Sequence, residues 1–357
     1  MNVSELYDLT YWIDEEIVNT EIPEKYQQLH QILHQNSQPN NQNQPFESQK
    51  DDLLKAIKAV PLTQLTKEQL VFLRALGIAQ AVGKEGTRTI EDVLYRNVLD
   101  IATSVNKIQQ IHQKLKEGIK TSNQIKTGLN ECIAPEEYEI DKEVMIRVTF
   151  TGNATMSNVS DFKKWGNTWH EIGRGIAMAH NAAPEDIRII GATKGSVTIE
   201  LATSPEIAIT TSMIILFALE LAQKILDIRK KAEEIKNLQL QNKQLAKDIK
   251  KEATKAKQAG VDQICERLMV ELTIEKDGNG DKAIALDKAV KDLIDFIEFG
   301  GEVDFIVPDE NDDEDNEEGE EVSRPEYEKL RNTITDIRLL EDKLKLLEPG
   351  LEESNSE

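Results

Sequence analysis

The chain is poor in the residues that make disulfide scaffolds, secretory leaders or one large aromatic core. Among its 357 residues there are two cysteines, Cys132 and Cys265, far apart and in no Cys-x-x-Cys pair. That spacing excludes a disulfide framework and reads as two reduced thiols in a cytoplasmic protein. Aromatic residues make up only 5%, whereas 30% of the chain is charged. This mix favours long solvated helices over a single compact core. The opening MNVSELYDLTYWIDEE is acidic and lacks the basic start and apolar centre of a signal peptide. No lysine or arginine cluster stands clear of acidic neighbours, so nucleic acid is not an expected partner. Long apolar runs are also missing. The uncharged stretch Ile207–Leu219 has thirteen residues before Glu220. A membrane span takes about 20 apolar residues, so this stretch is expected to be a buried core helix.

Acid is abundant. The formal net charge is −22, and ten of the thirteen residues from Asp309 to Glu321 are Asp or Glu, with none basic. Like charges with nothing apolar to bury are expected to form a disordered loop; the other use of such a run is to attract a basic partner.

The size allows two domains. Residues 1–34 carry apolar positions at helical spacing in two short pieces split near Pro23. Residues 35–50 hold the polar, Gln/Asn-rich stretch QNSQPNNQNQP, which cannot offset its own ordering entropy and should separate the first piece from the rest of the chain. Residues 51–135 read as helical. Thr66 and Gln69 have capping-box spacing, and the helix they start should run to about Gly83 with Leu70, Leu73 and Leu76 inward. A longer helix is expected from about Thr89 to Leu129. Its apolar residues, among them Leu94, Val98, Val105, Ile108 and Leu115, recur in a heptad-like seam.

From residue 143 the period becomes two. Met145, Arg147 and Thr149 alternate with Val144, Ile146, Val148 and Phe150, as on a strand. A helix over about 160–180 should follow, with Phe162, Trp165, Trp169, Ile172 and Ile176 on one face. Two strand-like runs come next, IRIIGA and SVTIELA, joined by a hairpin turn at Thr193-Lys194-Gly195. After Pro205 the helical period returns for some fifty residues, about 75 Å if straight. Its seam passes through Ile225, Ile228, Ile235, Leu238, Leu245 and Ile249, and Gly260 offers a turn. Helices over 261–275 and 281–299, a strand over 301–308, the acidic loop over 308–324, a last helix over 325–347 and a disordered tail over 348–357 complete the expectation. The fold class is therefore α+β, mostly α. Residues 143–307 form either a ferredoxin-like β-α-β-β-α-β domain with an inserted helical arm (about 205–275) or a three-stranded sheet with long coiled-coil helices.

Gly195-Ser196-Val197-Thr198-Ile199-Glu200-Leu201 follows a short strand and leads into a helix rich in Ile, Leu and Ala. Across residues 144–201 the chain resembles the small effector-associated adaptor domains of bacterial conflict and signalling systems. The resemblance implies a compact adaptor fold in such a setting. It carries over no functional residue.

Searches for chemistry return little. His30 and His34 are four apart and could share a helix face, but zinc needs further strong ligands. His170-Glu171 begins a His-Glu-x-x-His motif that fails at Arg174. Asp277, Asn279 and Asp281 start like a calcium loop, yet Lys282 and Lys288 occupy the glycine and glutamate positions. Gly191-Ala-Thr-Lys-Gly195-Ser has the wrong spacing for a phosphate loop. Gly173 and Gly175, mid-helix, should admit a closely packed neighbour. No catalytic residue, metal or cofactor is assigned. The sequence points to a non-enzymatic, cytoplasmic protein that binds another protein through long helical seams. Another copy of itself is among the candidates, giving a homo- or hetero-oligomer. The rivals are a membrane-associated effector that exposes 207–222, and an enzyme of unfamiliar type.

Overall fold

The computed structural model describes residues 1–38, 44–96, 101–130, 143–193, 197–238, 243–274, 280–308 and 324–347. It divides into two compact units, Met1–Glu139 and Ile140–Glu357. The molecule is mostly helical, with one small four-stranded antiparallel sheet.

The first unit contains α1 (Val3–Ile13), α2 (Ile22–Asn36), α3 (Glu47–Ala59), α4 (Lys67–Ala75), α5 (Gly83–Arg96) and α6 (Ile101–Leu129). Capping boxes start α1 at Asn2/Glu5 and α4 at Thr66/Gln69, the second as the sequence indicates. The expected separation of residues 1–34 does not occur. Leu9 and Ile13 of α1 and Tyr26 and Leu29 of α2 share one core with Leu53, Leu73 and Ile108. Tyr26 donates its hydroxyl proton to Ala81 O at 2.7 Å. Residues 39–43 lie outside the described set, but the flanks of this stretch are clasped: Asn36 Oδ1 accepts from Gln44 N and Asn36 Nδ2 donates to Gln44 O.

Two helix expectations need correction here. The helix begun at Thr66 ends at Ala75, not near Gly83. Gly77 takes φ +76 and closes a Schellman turn, in which Ile78 N donates to Leu73 O and Gly77 N to Arg74 O. The 89–129 helix is two helices. Ser104 Oγ donates to Val93 O at 3.0 Å, and in one straight helix these residues would be roughly 16 Å apart. Burial of Ile90 and Val93 beside Val105 and Ile108 favours the folded-back arrangement.

The second unit contains β1 (Val144–Phe150), α7 (Val159–Ala179), β2 (Arg188–Thr193), β3 (Val197–Thr203), α8 (Pro205–Leu238), α9 (Lys243–Glu271), α10 (Gly280–Glu298), β4 (Glu302–Ile306) and α11 (Arg324–Leu347). The sheet order is β2-β3-β1-β4, and every neighbouring pair is antiparallel. Residues 301–308 therefore return to the sheet. Val144, Ile146, Val148 and Phe150 of β1, with Val303 and Phe305 of β4, form its buried apolar face. Against that face lies an aromatic cluster in which Phe296 makes edge-on contacts with Phe150, Trp165 and Trp169 at 5.2–5.4 Å. Burial of each such ring contributes about 1.5–3 kcal/mol. Asn158 starts α7 by accepting from Ser160 N and Asp161 N. Phe162, expected inward, is 58% exposed, while Trp165, Ile172 and Ile176 further along the helix are buried.

The fifty-residue helix is broken as well. α8 stops at Leu238 and α9 starts at Lys243. Gly260 is interior to α9 and makes no turn; a Cβ there would collide with Leu221 Cδ1, so α9 folds back along α8. By length and composition Pro205–Ile228 could cross a membrane, longer than the thirteen-residue run suggested, but most of it is buried. It packs against α7, α9, α10, α11, β1 and β4. The Thr193–Gly195 turn and the 277–281 motif fall largely outside the described residues.

At Gly175, α7 approaches α10 closely. A Cβ there would overlap Ala285 O and Ala289 Cβ, whereas one at Gly166 on the same helix meets nothing within 4 Å. Gly175→Ala should therefore destabilise the second unit by about 1–3 kcal/mol. Gly166→Ala should stabilise it by about 0.5–1 kcal/mol. Urea unfolding followed by tryptophan fluorescence separates the two; equal shifts would mean that α7 and α10 are not in tight contact.

Candidate functional site

The seam assigned from sequence lies on the α8–α9 hairpin. Ile225 is buried and Ile228 partly buried against the core of the second unit. The side chains of Ile235, Leu238, Leu245 and Ile249 lie outside the described set. The backbone stays helical past Ile228 to Leu238 and from Lys243 onward, and Ala253 is the first buried core residue among the described side chains of α9. Ten residues of α8 thus continue past Ile228, about 15 Å at 1.5 Å per residue.

The structure brings together a second set of residues that sequence periodicity treated only as the polar side of a strand. Register places Arg147 of β1 opposite Glu200 of β3 on one side and Asp304 of β4 on the other. Residues paired in an antiparallel ladder point to the same face, so the three form a row across the sheet. Arg147 Nη2 lies 2.9 Å from Glu200 Oε1. From α11, Arg338 donates to Asp304 Oδ1 through Nε at 3.1 Å and Nη2 at 2.9 Å. Arg147 and Asp304 are only 4% and 5% exposed. Charges alternate along the row, so each buried ion has an opposite neighbour, which is the condition for tolerating desolvation. Beside it the Thr149 and Thr198 hydroxyls lie 3.3 Å apart. Guanidinium groups do not titrate near neutrality, so the row suits holding register better than moving protons. The sequence signal was slight: Arg147, Glu200 and Asp304 each sit at a polar position of an alternating strand.

The remaining chemistry-bearing groups are dispersed. Cys132 is outside the described residues. Cys265 is buried, and burial with the Asp287 carboxylate beside it pushes its thiol up to about 12. Such a thiol is not ionised near neutral pH and is a poor nucleophile. His170 and Glu171 lie on α7, where Glu171 accepts from Lys288 Nζ at 2.8 Å. His180, at the end of α7, meets Thr210 Oγ1 of α8 at 2.8 Å through Nε2. In the first unit His30 and His34 have ring centroids 6.0 Å apart, and α2 packs on α6, which carries His112. The Nε2 atoms of His30 and His112 are shielded from water with no hydrogen-bond partner. Among the described residues no group of three metal-ligating side chains forms. Surface grooves occur along α6, one of about 460 Å³ beside Lys107 and Lys114 and one of about 740 Å³ beside Lys116 and Lys120.

No family model matches the chain, and neither a curated protein nor a solved structure does.

The ion row and the histidines each give a testable outcome. Arg147→Met removes the cation between two carboxylates and should cost about 3–5 kcal/mol; an unfolding midpoint unchanged from wild type would show that the row is not a buried ion network. The histidines give a pH dependence. Burial, then the nearby His34, lowers the His30 pKa. Burial, then Lys116 and His30, lowers that of His112 against an opposing pull from Glu24. The unfolded chain therefore binds protons first. The stabilisation is complete above about pH 6.5 and is lost as pH falls below it. Thermal melts at pH 7 and pH 5 should show a smaller acid-induced drop in His112→Gln than in wild type. Equal drops would remove this residue from the account.

Proposed function

We propose that this chain is a non-enzymatic interaction and assembly module whose main interface is the outer part of the α8–α9 hairpin. The observation that carries the reading is the length of the hairpin. The helical backbones of α8 and α9 run on for ten residues beyond Ile228 and for ten before Ala253, and the sequence keeps Ile235, Leu238, Leu245 and Ile249 at spacings of three, seven and four. Apolar positions repeated in that way favour burial against another helix, in the manner of a coiled coil. The partner is another protein chain, a second copy included, in a cytoplasmic setting.

We read the sheet of the second unit as ferredoxin-like. The order β2-β3-β1-β4, all antiparallel, is in keeping with the split β-α-β-β-α-β arrangement, with α8 and α9 as an enlargement between β3 and β4. A role beside the effectors of bacterial conflict or signalling systems rests on the likeness of residues 144–201 to adaptor domains. The membrane reading of α8 is weaker. Releasing that helix would expose Ile214, Ile215 and Ala218, which are buried together with the aromatic cluster.

The test is affinity capture from the native cell, run alongside light scattering of the purified chain. Ile235→Glu combined with Leu245→Glu should lower partner recovery by about tenfold or more while leaving the helical circular dichroism unchanged. Undiminished recovery would remove the hairpin from the interface.

A further inference from the structure

The two edges of the sheet are treated differently. At β4 and just beyond it, two arginines of α11 occupy backbone carbonyls. Arg338 Nη2 donates to Phe305 O at 3.2 Å, and Arg331 Nη2 donates to Pro308 O at 3.3 Å. Exposed edges with unpaired backbone groups recruit further strands, and covering one with a helix prevents that. Along β2, no hydrogen bond to the outer backbone edge occurs among the described residues beyond the pairing with β3. The same strand exposes two large apolar side chains, Ile189 at 70% and Ile190 at 49%.

The bulge in β2 gives this open edge a particular chemistry. Arg188 stands opposite Ala202 and Gly191 opposite Glu200, with Ile190 left over at the register shift. Ala202 and Glu200 are two apart on β3, so they share a face. Arg188 and Gly191, three apart, are therefore also on one face, which a regular strand would not allow. Gly191 has no side chain, and the Glu200 carboxylate lies over it: a Cβ at that position would collide with Glu200 Oε2. While Glu200 Oε1 is held by Arg147, its other oxygen thus approaches the sheet edge. Arg188 is 59% exposed and pairs with Glu143 within the chain.

We infer that β2 is a self-pairing edge and that its occupant is β2 of a second copy of this chain, run antiparallel about a two-fold axis. The stretch Arg188-Ile189-Ile190-Gly191 is self-complementary in that direction. Arg188 falls opposite Gly191 of the second copy, within reach of the Glu200 carboxylate above it, and the reciprocal pair forms by symmetry. Ile189 falls opposite Ile190 of the second copy, twice. An isologous contact of this kind closes on itself and yields a dimer, not a filament. It joins two four-stranded sheets into one of eight strands. The surface is separate from the α8–α9 hairpin, so the inference does not depend on the function proposed above.

The test is sedimentation of the full chain at concentrations up to the order of 100 µM, above the micromolar Kd that a small interface gives. Wild type should form a concentration-dependent dimer that weakens with salt. Ile190→Lys, a change at a half-exposed position, should raise the Kd by about tenfold or more. A chain carrying Ile189→Cys with Ile190→Cys should cross-link to dimer under mild oxidation, while Val159→Cys, at an 84% exposed site elsewhere, should not. A wild-type chain that stays monomeric overturns the inference. So does a dimer that Ile190→Lys leaves intact but Ile235→Glu with Leu245→Glu abolishes; that result would keep the hairpin reading and discard the edge.

Discussion

A helix with no polar side can stay in water only if other elements surround it. From Ile207 to Leu219 no residue of α8 is charged, and the architecture of the second unit follows from that constraint. α7, α9, α10 and α11 and the strands β1 and β4 all pack on α8. Its few polar side chains are satisfied at short range. Thr211 Oγ1 donates to Ile207 O at 2.7 Å, Ser212 Oγ to Ile209 O at 2.8 Å, and Thr210 is matched by His180. Buried hydroxyls without such partners would cost about 1–3 kcal/mol each. The sheet can then be small, because it supplies only part of the covering.

This explains which expectations the sequence could support. Alternation in EVMIRVTF located β1; Val144, Ile146, Val148 and Phe150 are buried as the pattern implies, and Arg147 on the other face is buried as well. The Thr66/Gln69 pair located the start of α4 to the residue. Gly173 and Gly175 were readable as close-approach positions: a Cβ at Gly175 would overlap α10, and one at Gly173 would lie 3.3 Å from Ile187 Cδ1. Helix ends were harder. Apolar spacing continues across a break whenever both pieces bury the same kind of face, so 89–129 and 205–256 looked continuous. Gly260 and Gly77 are both glycine in a helical pattern, yet one lies inside a helix and the other ends one. The difference lies in what packs nearby: Leu221 against Gly260, and the Leu73 and Arg74 carbonyls receiving the amides around Gly77. Phe162 was misjudged for a similar reason. The apolar stripe of α7 is longer than the surface it covers, so its first turn is left in solvent.

The charged row was hidden for a different reason. Arg147, Glu200 and Asp304 each occupy an ordinary polar position in their own strand. Only register sets them side by side, and register is fixed by the opposite, apolar face, where a one-residue slip would move Val148 into the ion row and Thr149 into the apolar core. The histidines obey the same logic. His30 and His34 were visible as an i, i+4 pair, but His112 joins them only because α2 packs on α6. A single strand or helix cannot report what the next element brings.

The two candidate interfaces differ in physical kind, and this bears on how an assembly could be controlled. A seam of Ile and Leu on a helical hairpin derives its affinity from apolar burial, which is non-directional and responds little to salt. A strand edge derives its specificity from backbone hydrogen bonds and, in the pairing proposed for β2, would add reciprocal arginine–carboxylate pairs, which are directional and screened within about 8 Å at physiological ionic strength. Glu200 belongs both to that edge and to the buried row with Arg147 and Asp304. A charge brought to β2 from outside would therefore act on a carboxylate already held by Arg147. By way of that guanidinium it is connected to β4, and through Asp304 to α11. The row makes the open edge of the sheet and its β4 edge parts of one electrostatic chain.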